Sequence, residues 1–338
     1  MKILVIRFSS IGDIVLTTPI LRCIKQQMPE VELHYLTKAA YKPVIEANPY
    51  IDKFHFLKDN LNEIIDELQD FRFDYVIDLH RNLRTQRVKR ALNTHNLTFS
   101  KLNIRKWVLV NFKLNLMPDK SIVERYFDAI KKLNVKNDGQ GLDYFIPKTT
   151  VVGNKDLPMS HLGGYAGCVI GGSYYTKKLP VEQWRKFCKE VPYPVILLGG
   201  PEDRAEGDKI AELDPIKIYN ACGKFDLNES AWLVKHAHVV VSNDTGLMHI
   251  AAAFKKPLIS LWGNTSPEMG MFPYFGYNNI SKVISKDSII LENKRLYCHP
   301  CSKLGYNKCP EGHFKCMNEL NMQNLSDFVK KMWQTPNH

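Results

Sequence analysis

The stretch Val239-Val-Val-Ser-Asn-Asp-Thr-Gly-Leu-Met-His-Ile-Ala-Ala-Ala253 decides how the chain is read. A β-branched run closes in Ser242-Asn243-Asp244-Thr245-Gly246, and a helix of small residues follows directly. The pattern predicts a buried strand that delivers a short polar turn to a helix N-terminus. In open parallel sheets, ligands bind at such places beyond the carboxyl ends of the strands. The turn supplies a carboxylate in Asp244, a hydroxyl in Thr245 and backbone N–H groups suited to phosphate. Helix capping accounts for one such side chain. With His249 one turn further on, the cluster is denser than capping requires, and a ligand site is expected.

A second joint of this kind opens the chain. Met1-Lys-Ile-Leu-Val-Ile6 reads as a buried strand, which predicts the absence of a signal peptide. The strand breaks at Arg7-Phe-Ser-Ser-Ile-Gly-Asp13, and Ile14–Lys25 continues in a helical pattern. The three spaced glycines of a dinucleotide fingerprint are missing. Gly12 permits close backbone approach, and Asp13 is either an N-cap or a functional carboxylate. Two such turns in two halves of one chain predict a shared cleft.

Between them the chain alternates. Strands are expected at Lys2–Ile6, Glu32–Leu36, Lys53–Phe56 and Tyr75–Asp78, then at Tyr165–Ile170, Pro194–Leu198, Lys217–Asn220, His238–Ser242 and Leu258–Trp262. Helical spacing separates them, most clearly in Leu61-Asn-Glu-Ile-Ile-Asp-Glu-Leu68. Alternation of this kind predicts an α/β protein with a parallel sheet flanked by helices in each half. Polar and breaker residues through 148–164 place the boundary between domains 1–155 and 165–320, with a terminal helix in 321–338.

The 338 residues suffice for two domains, and no apolar run approaches the roughly 20 residues of a membrane span. The excess of 46 basic over 35 acidic residues gives +11, which points to an anionic partner. That excess is concentrated: Arg81, Arg84, Arg87, Lys89, Arg90, Lys101, Arg105, Lys106 and Lys113 follow one another without an acidic residue, interleaved with Trp107, Leu109 and Phe112. Part of such a run is a solvated face. Its apolar neighbours fit phosphorylated sugars at an anionic membrane surface. The motifs of nucleic-acid readers are absent, so no nucleic acid is expected as a partner.

Five segments carry a family resemblance. They are Arg7-Phe-Ser-Ser-Ile-Gly-Asp13, Asp78-Leu-His-Arg-Asn-Leu-Arg84, Gly171-Gly-Ser173 with Lys177-Lys-Leu-Pro180, Gly199-Gly-Pro-Glu-Asp203 and Asn243-Asp-Thr-Gly-Leu-Met-His249. In this order, across residues 1 to about 317, the set resembles glycosyltransferase family 9, the bacterial lipopolysaccharide heptosyltransferases. The resemblance implies a GT-B fold, two Rossmann-like domains facing a central cleft, with acceptor bound by the first and nucleotide-sugar donor by the second. It also implies a terminal helix packing back toward the first domain. The activity implied is transfer of heptose from an ADP-activated donor to a lipopolysaccharide-core acceptor by a cytoplasmic enzyme, peripheral at the inner face of the inner membrane.

Such chemistry needs a base for the acceptor hydroxyl and charge stabilisation for the departing diphosphate. By resemblance Asp13 is the base, and in-line attack inverts the anomeric centre. A closing cleft would raise its pKa. Lys177 is assigned to the diphosphate, with Lys178 an open alternative because Leu179-Pro180 stands where the family has Trp-Pro. Ser173, Thr176, Thr245 and Gly246 are expected at the phosphates, Asp244 at the donor sugar, Glu202 or Asp203 at the ribose, and His249 in the donor site. Ser10, Gly12, His80, Arg81 and Arg84 are assigned to the acceptor. A lysine in place of a divalent ion implies that catalysis requires no cofactor.

Cys298, Cys301, Cys309, His313 and Cys316 form a group at spacings found in structural zinc sites, which makes structural zinc one expectation beside free thiols and a redox disulfide. Two other functions remain open on sequence: a transferase using another nucleotide sugar, or a nucleotide-sugar epimerase of the same architecture. A non-catalytic anion-binding protein would leave Asp13, Lys177 and Asp244 without a role.

Overall fold

The structure is a computed structural model and describes residues 1–276, 279–283 and 288–334. Its strands assemble into two all-parallel sheets. The first contains β1 (Lys2–Ile6), β2 (Glu32–Lys38), β3 (Lys53–Leu57), β4 (Tyr75–Asp78) and β5 (His95–Thr98), in the order β3-β2-β1-β4-β5. The second contains β6 (Ala166–Val169), β7 (Val195–Leu198), β8 (Ile218–Asn220), β9 (Val239–Asn243), β10 (Leu258–Trp262) and β11 (Ser288–Glu292), in the order β11-β10-β9-β6-β7-β8.

These orders position the site. Each sheet grows one way from its first strand and later turns back to grow the other way. The first reverses between β1 and β4, paired Ile6 to Asp78, and the second between β6 and β9, paired Val169 to Ser242. Loops leaving neighbouring strands at such a switch point diverge and leave a crevice. The central strands β1, β6 and β9 are buried almost throughout, β1 and β9 through aliphatic runs and β6 through the small residues Ala166, Gly167 and Cys168.

Most expected elements are present, with shifts of a few residues at their ends. The helical pattern after Asp13 divides into Ile11–Val15 and Thr18–Gln27. Pro19 causes the division: it has no N–H, and its ring excludes the carbonyl four residues back. β5, β11 and the helices Leu83–Leu92 and Asn103–Phe112 stand where no element was expected.

The terminal helix, expected to return to the first domain, lies on the second. Leu325, Phe328, Val329 and Met332 of the helix Met322–Gln334 join the core around Trp184 and Phe187, and Trp333 stacks on Tyr193 and His238. The apolar face of this helix therefore finds its partner within the second domain.

One of the contacts between the two domains lies directly at the switch points. The helix Ile11–Val15 packs on the helix Gly246–Ala253. A Cβ on Gly12 would stand 2.5 Å from Cδ2 of His249, and one on Gly246 2.6 Å from Cγ2 of Ile11. Glycine at both positions makes room for the His249 ring and the Ile11 side chain between the two helices.

Candidate active site

Both switch points open into one cavity of about 640 Å³ between the domains. From the first domain it is lined by Arg7, Ser10, Gly12, Asp13, His80, Lys101 and Lys106, and from the second by Ser173, Lys177, Asp244, Thr245, Gly246, His249 and Lys303, among others. Five cations face two carboxylates, Asp13 and Asp244, in this lining. Among the described residues Lys101, Lys106 and Lys303 have no ion-pair partner, so the cavity carries uncompensated positive charge.

On the first-domain wall, Arg7 and Asp13 form a pair at 2.5 Å between Nη2 and Oδ1. Arg7 is itself held, donating from Nε to the Ser9 carbonyl at 2.8 Å and from Nη1 to the Leu79 carbonyl. Asp13 Oδ2 accepts from the Ser10 N–H at 3.2 Å and the Ser10 hydroxyl at 3.0 Å. Burial alone would raise the Asp13 pKa, but the Arg7 charge and the Ser10 hydrogen bonds outweigh it and hold the carboxyl below its ordinary value of 3.8. The expected rise is thereby corrected: Asp13 is ionised throughout the neutral range.

On the opposite wall, Lys177 Nζ pairs with Asp244 Oδ2 at 2.6 Å, and the Thr265 hydroxyl donates to the same oxygen at 3.0 Å. Among the described residues no side chain caps the helix Gly246–Ala253, which leaves N–H groups of its first turn available to an anion. His249 is buried, with Nδ1 unpartnered, and burial pushes its pKa down to about 4. Burial likewise lowers His80 to about 4, assisted by Arg7 and Lys101. Both imidazoles are neutral at pH 7.

Lys178 has other partners, Asp203 at 2.9 Å and Glu206 at 2.5 Å, so Lys177 is the lysine of the pair that lines the cavity. This changes the reading of Asp203. It is buried with its oxygens engaged by Lys178 and by the Gly200 N–H at 2.9 Å, in space that a Cβ on Gly171 or Gly199 would fill. Asp203 ties two glycine turns together and is withdrawn as a ribose ligand. Glu202 is exposed on that turn, outside the cavity lining. Replacing Asp203 by alanine is expected to cost about 2 kcal/mol of stability in a denaturant titration, because it removes the acceptor of the Gly200 N–H and leaves Lys178 with Glu206 alone. Wild-type stability in that variant would return Asp203 to the ligand candidates.

Thr176 is also withdrawn from the phosphate group. It is buried, donates to the Tyr306 carbonyl at 3.0 Å and accepts the Tyr306 N–H at 2.8 Å, fastening the 303–306 loop beside the cavity. Arg81 and Arg84 do not line the cavity with Ser10, Gly12 and His80. Asp78 Oδ1 accepts the Arg81 N–H at 2.6 Å, and the Arg81 side chain faces an adjoining cavity of about 470 Å³ with Lys101 and Arg105. Arg84 is exposed on the helix Leu83–Leu92.

The zinc candidates do not form a ligand set: among the described residues no three His, Cys, Asp or Glu side chains converge to hold a metal ion. Cys298 Sγ approaches His313 Nε2 at 3.7 Å, and the Cys316 thiol, buried with Phe314 and Met317, has its pKa raised first by burial and then by the nearby Cys301, Cys309 and Cys298.

Several lining residues were not singled out from sequence. Lys303, Thr265 and Tyr174 carry no local signal, since only packing brings them to the cavity. Arg7 and Asn243 were within quoted motifs but without a role. Asn243 is fully buried, accepting from the Leu179 N–H at 3.1 Å and donating to the Ile170 carbonyl at 2.9 Å, which ties the Lys177 loop to β9.

Comparison with known proteins accounts for this arrangement. The family model for glycosyltransferase family 9 (heptosyltransferase) matches residues 62–303. Lipopolysaccharide heptosyltransferase 1 of Campylobacter coli is 26% identical over 329 residues, covering 88% of this chain and 92% of the relative. Lipooligosaccharide heptosyltransferase 2 of Haemophilus influenzae is 24% identical, covering 79% and 85%. Among solved structures, a family 9 glycosyltransferase from Veillonella parvula superposes with a TM-score of 0.75 at 21% identity, covering 98% of this chain and 96% of that one. An E. coli heptosyltransferase solved with ADP superposes at 0.67 with 18% identity, covering 98% and 100%. The fold is GT-B, and the chain belongs to glycosyltransferase family 9, the heptosyltransferase family, and is a glycosyltransferase.

Proposed function

We propose that this enzyme transfers a heptose from an ADP-activated donor to an anionic lipopolysaccharide-core acceptor, with inversion at the anomeric carbon. The observation that carries the reading is the opposition of two charged pairs across one cavity. Asp13 with Arg7 stands on the first-domain wall, and Lys177 with Asp244 stands beside the open helix N-terminus on the second. The curated relatives are named as lipopolysaccharide or lipooligosaccharide heptosyltransferases, and one structural neighbour was solved with ADP.

In this reading the diphosphate takes Lys177 from Asp244 and receives the first N–H groups of the helix Gly246–Ala253. Asp244 is then free to accept hydrogen bonds from donor sugar hydroxyls. Ser173 and Thr245 contribute hydroxyls at the phosphates. Neutral His249 donates or accepts one hydrogen bond through its unpartnered Nδ1. The lysine and the helix terminus supply the positive charge for the leaving group, and transfer is expected to persist in EDTA.

Asp13 accepts the proton of the acceptor hydroxyl. Its low pKa makes it a weak base in the ground state, so proton transfer comes late. By then the bond to the diphosphate is largely broken, and the hydroxyl oxygen is acidified by its bond to an oxocarbenium-like carbon. Because Asp13 is already ionised at pH 5, no acidic limb from this residue is expected between pH 5 and 8.

Lys101, Lys106 and Lys303 receive anionic groups of the acceptor. Lys106 sets a limit at high pH: burial, with repulsion from Arg125, lowers its pKa to about 8, so it is charged below that pH and loses its charge above it. KM for an anionic acceptor is expected to be flat from pH 6 to 7.5 and to rise above 8, with Lys106→Arg moving the rise to higher pH. An unmoved rise in that variant would assign it to another group.

Peripheral attachment at the cytoplasmic face of the inner membrane belongs to the same reading, since the acceptor is a lipid. Among the described residues no helix is long and apolar enough to cross a membrane. Thermal midpoints measured with ADP, UDP and GDP, with and without EDTA, test the donor assignment. ADP is expected to stabilise most, independently of EDTA. A preference for UDP would move the reading to another nucleotide sugar.

A further inference from the structure

The helix Asn103–Phe112 breaks the usual economy of a surface helix. It carries six apolar side chains, Ile104, Trp107, Val108, Leu109, Val110 and Phe112, and only Leu109 is buried. Ile104 is 80% exposed, Trp107 56% and Phe112 66%. Positions 104, 107, 108 and 112 fall on one helix face, and Leu114 and Leu116 continue the exposed apolar surface past the helix end. Left-handed residues bound the helix on both sides, Leu102 at φ 53° and Lys113 at φ 58°. Lys113 anchors its end to the second domain by donating to the carbonyls of Cys298 at 3.0 Å and Pro300 at 2.8 Å.

We propose that this helix is a membrane-docking element that seats Ile104, Trp107 and Phe112 in the interfacial layer of an anionic bilayer beside the mouth of the cleft. The proposal rests on the lipid-acceptor reading above and names the surface that meets the lipid.

Charge selects the occupant. The 33 residues from Arg81 to Lys113 hold nine cations and no carboxylate, and Arg84, Arg87 and Arg105 are exposed. A second copy docking through the same face would bring identical basic patches together across a two-fold axis, which disfavours self-association. Nucleic acid would satisfy the cations but offers nothing to aliphatic Ile104, Leu114 and Leu116. An anionic bilayer matches both, with headgroups for the cations and an apolar boundary for the side chains. Position agrees with this assignment. Lys101, Asn103, Ile104 and Arg105 line the cavity of about 470 Å³ that shares Lys101 and Asn103 with the catalytic cleft, so an acceptor held in the bilayer has a short route to Asp13.

The test is co-sedimentation of the full chain with vesicles of phosphatidylcholine alone or with 30% phosphatidylglycerol, beside transfer to a water-soluble, delipidated acceptor. The wild type is expected to bind the anionic vesicles preferentially. Trp107→Ser with Phe112→Ser is expected to weaken that binding at least tenfold, leaving the thermal midpoint and transfer to the soluble acceptor unchanged. Trp107 fluorescence, isolated by subtracting Trp107→Phe, is expected to shift to the blue on vesicle addition. Vesicle binding by the double variant equal to wild type overturns the proposal. So does a wild-type dimer that the double variant abolishes, or binding to RNA that the double variant loses while vesicle binding persists. Failure of the wild type to transfer to the soluble acceptor counts against the enzymatic reading, and the vesicle measurement stands apart from it.

Discussion

Asp13→Ala is expected to lower kcat for heptose transfer at least 10³-fold while ADP affinity changes by less than about twofold. General-base catalysis contributes roughly 10²–10⁴-fold, and this variant also leaves Arg7 without its carboxylate at the reacting centre. Arg7 is buried, and its other partners among the described residues are the Ser9 and Leu79 carbonyls and the Tyr126 hydroxyl. An uncompensated cation beside a developing oxocarbenium opposes the same transition state. Asp13→Asn separates the effects, since it keeps the hydrogen-bonding shape but neither the charge nor the proton acceptor, and is expected to be as inactive as alanine. A large loss of ADP affinity in either variant would assign Asp13 to nucleotide binding.

Lys177→Ala is expected to lower kcat/KM for the donor by roughly 10²–10³, the usual effect of removing one preorganised group from a developing charge, and to weaken ADP as well. The effect appears in both parameters because the lysine meets the diphosphate in ground and transition states alike. Lys178 provides the control one position away. Its amine is engaged by Asp203 and Glu206, so Lys178→Ala is expected to lose stability before it loses turnover. Normal kinetics in Lys177→Ala would contradict the assignment.

The two variants bear on parts of the site that were legible in different degrees. Both polar turns, 7–13 and 243–249, announce themselves because each places several functional groups within one helical turn after an aliphatic strand. The switch points that bring them together follow from strand order, which no local pattern encodes. Asp203 and Thr176 show the converse. A carboxylate in a glycine turn at the correct end of a sheet reads the same whether it faces a ligand or its own backbone. What turns Asp203 inward is the space left by Gly199 on its own turn and by Gly171 on the neighbouring loop, with the reach of Lys178, and the last two are tertiary facts. β5 escaped notice because His95-Asn-Leu-Thr98, at a sheet edge, has no aliphatic run. The helix Asn103–Phe112 escaped because only one of its residues faces a core, so its apolar spacing does not resemble that of a packed helix.

The central claim is that Asp13 and Lys177 act on the same sugar from opposite sides of one cavity, so that the acceptor attacks in line as the diphosphate leaves. The most direct measurement is the anomeric configuration of the product formed from ADP-heptose and a lipopolysaccharide-core acceptor, read by NMR. From a β-linked donor the account predicts an α-linked product, formed by the wild type and absent with Asp13→Ala. A β-linked product, or wild-type turnover in the variant, would contradict it.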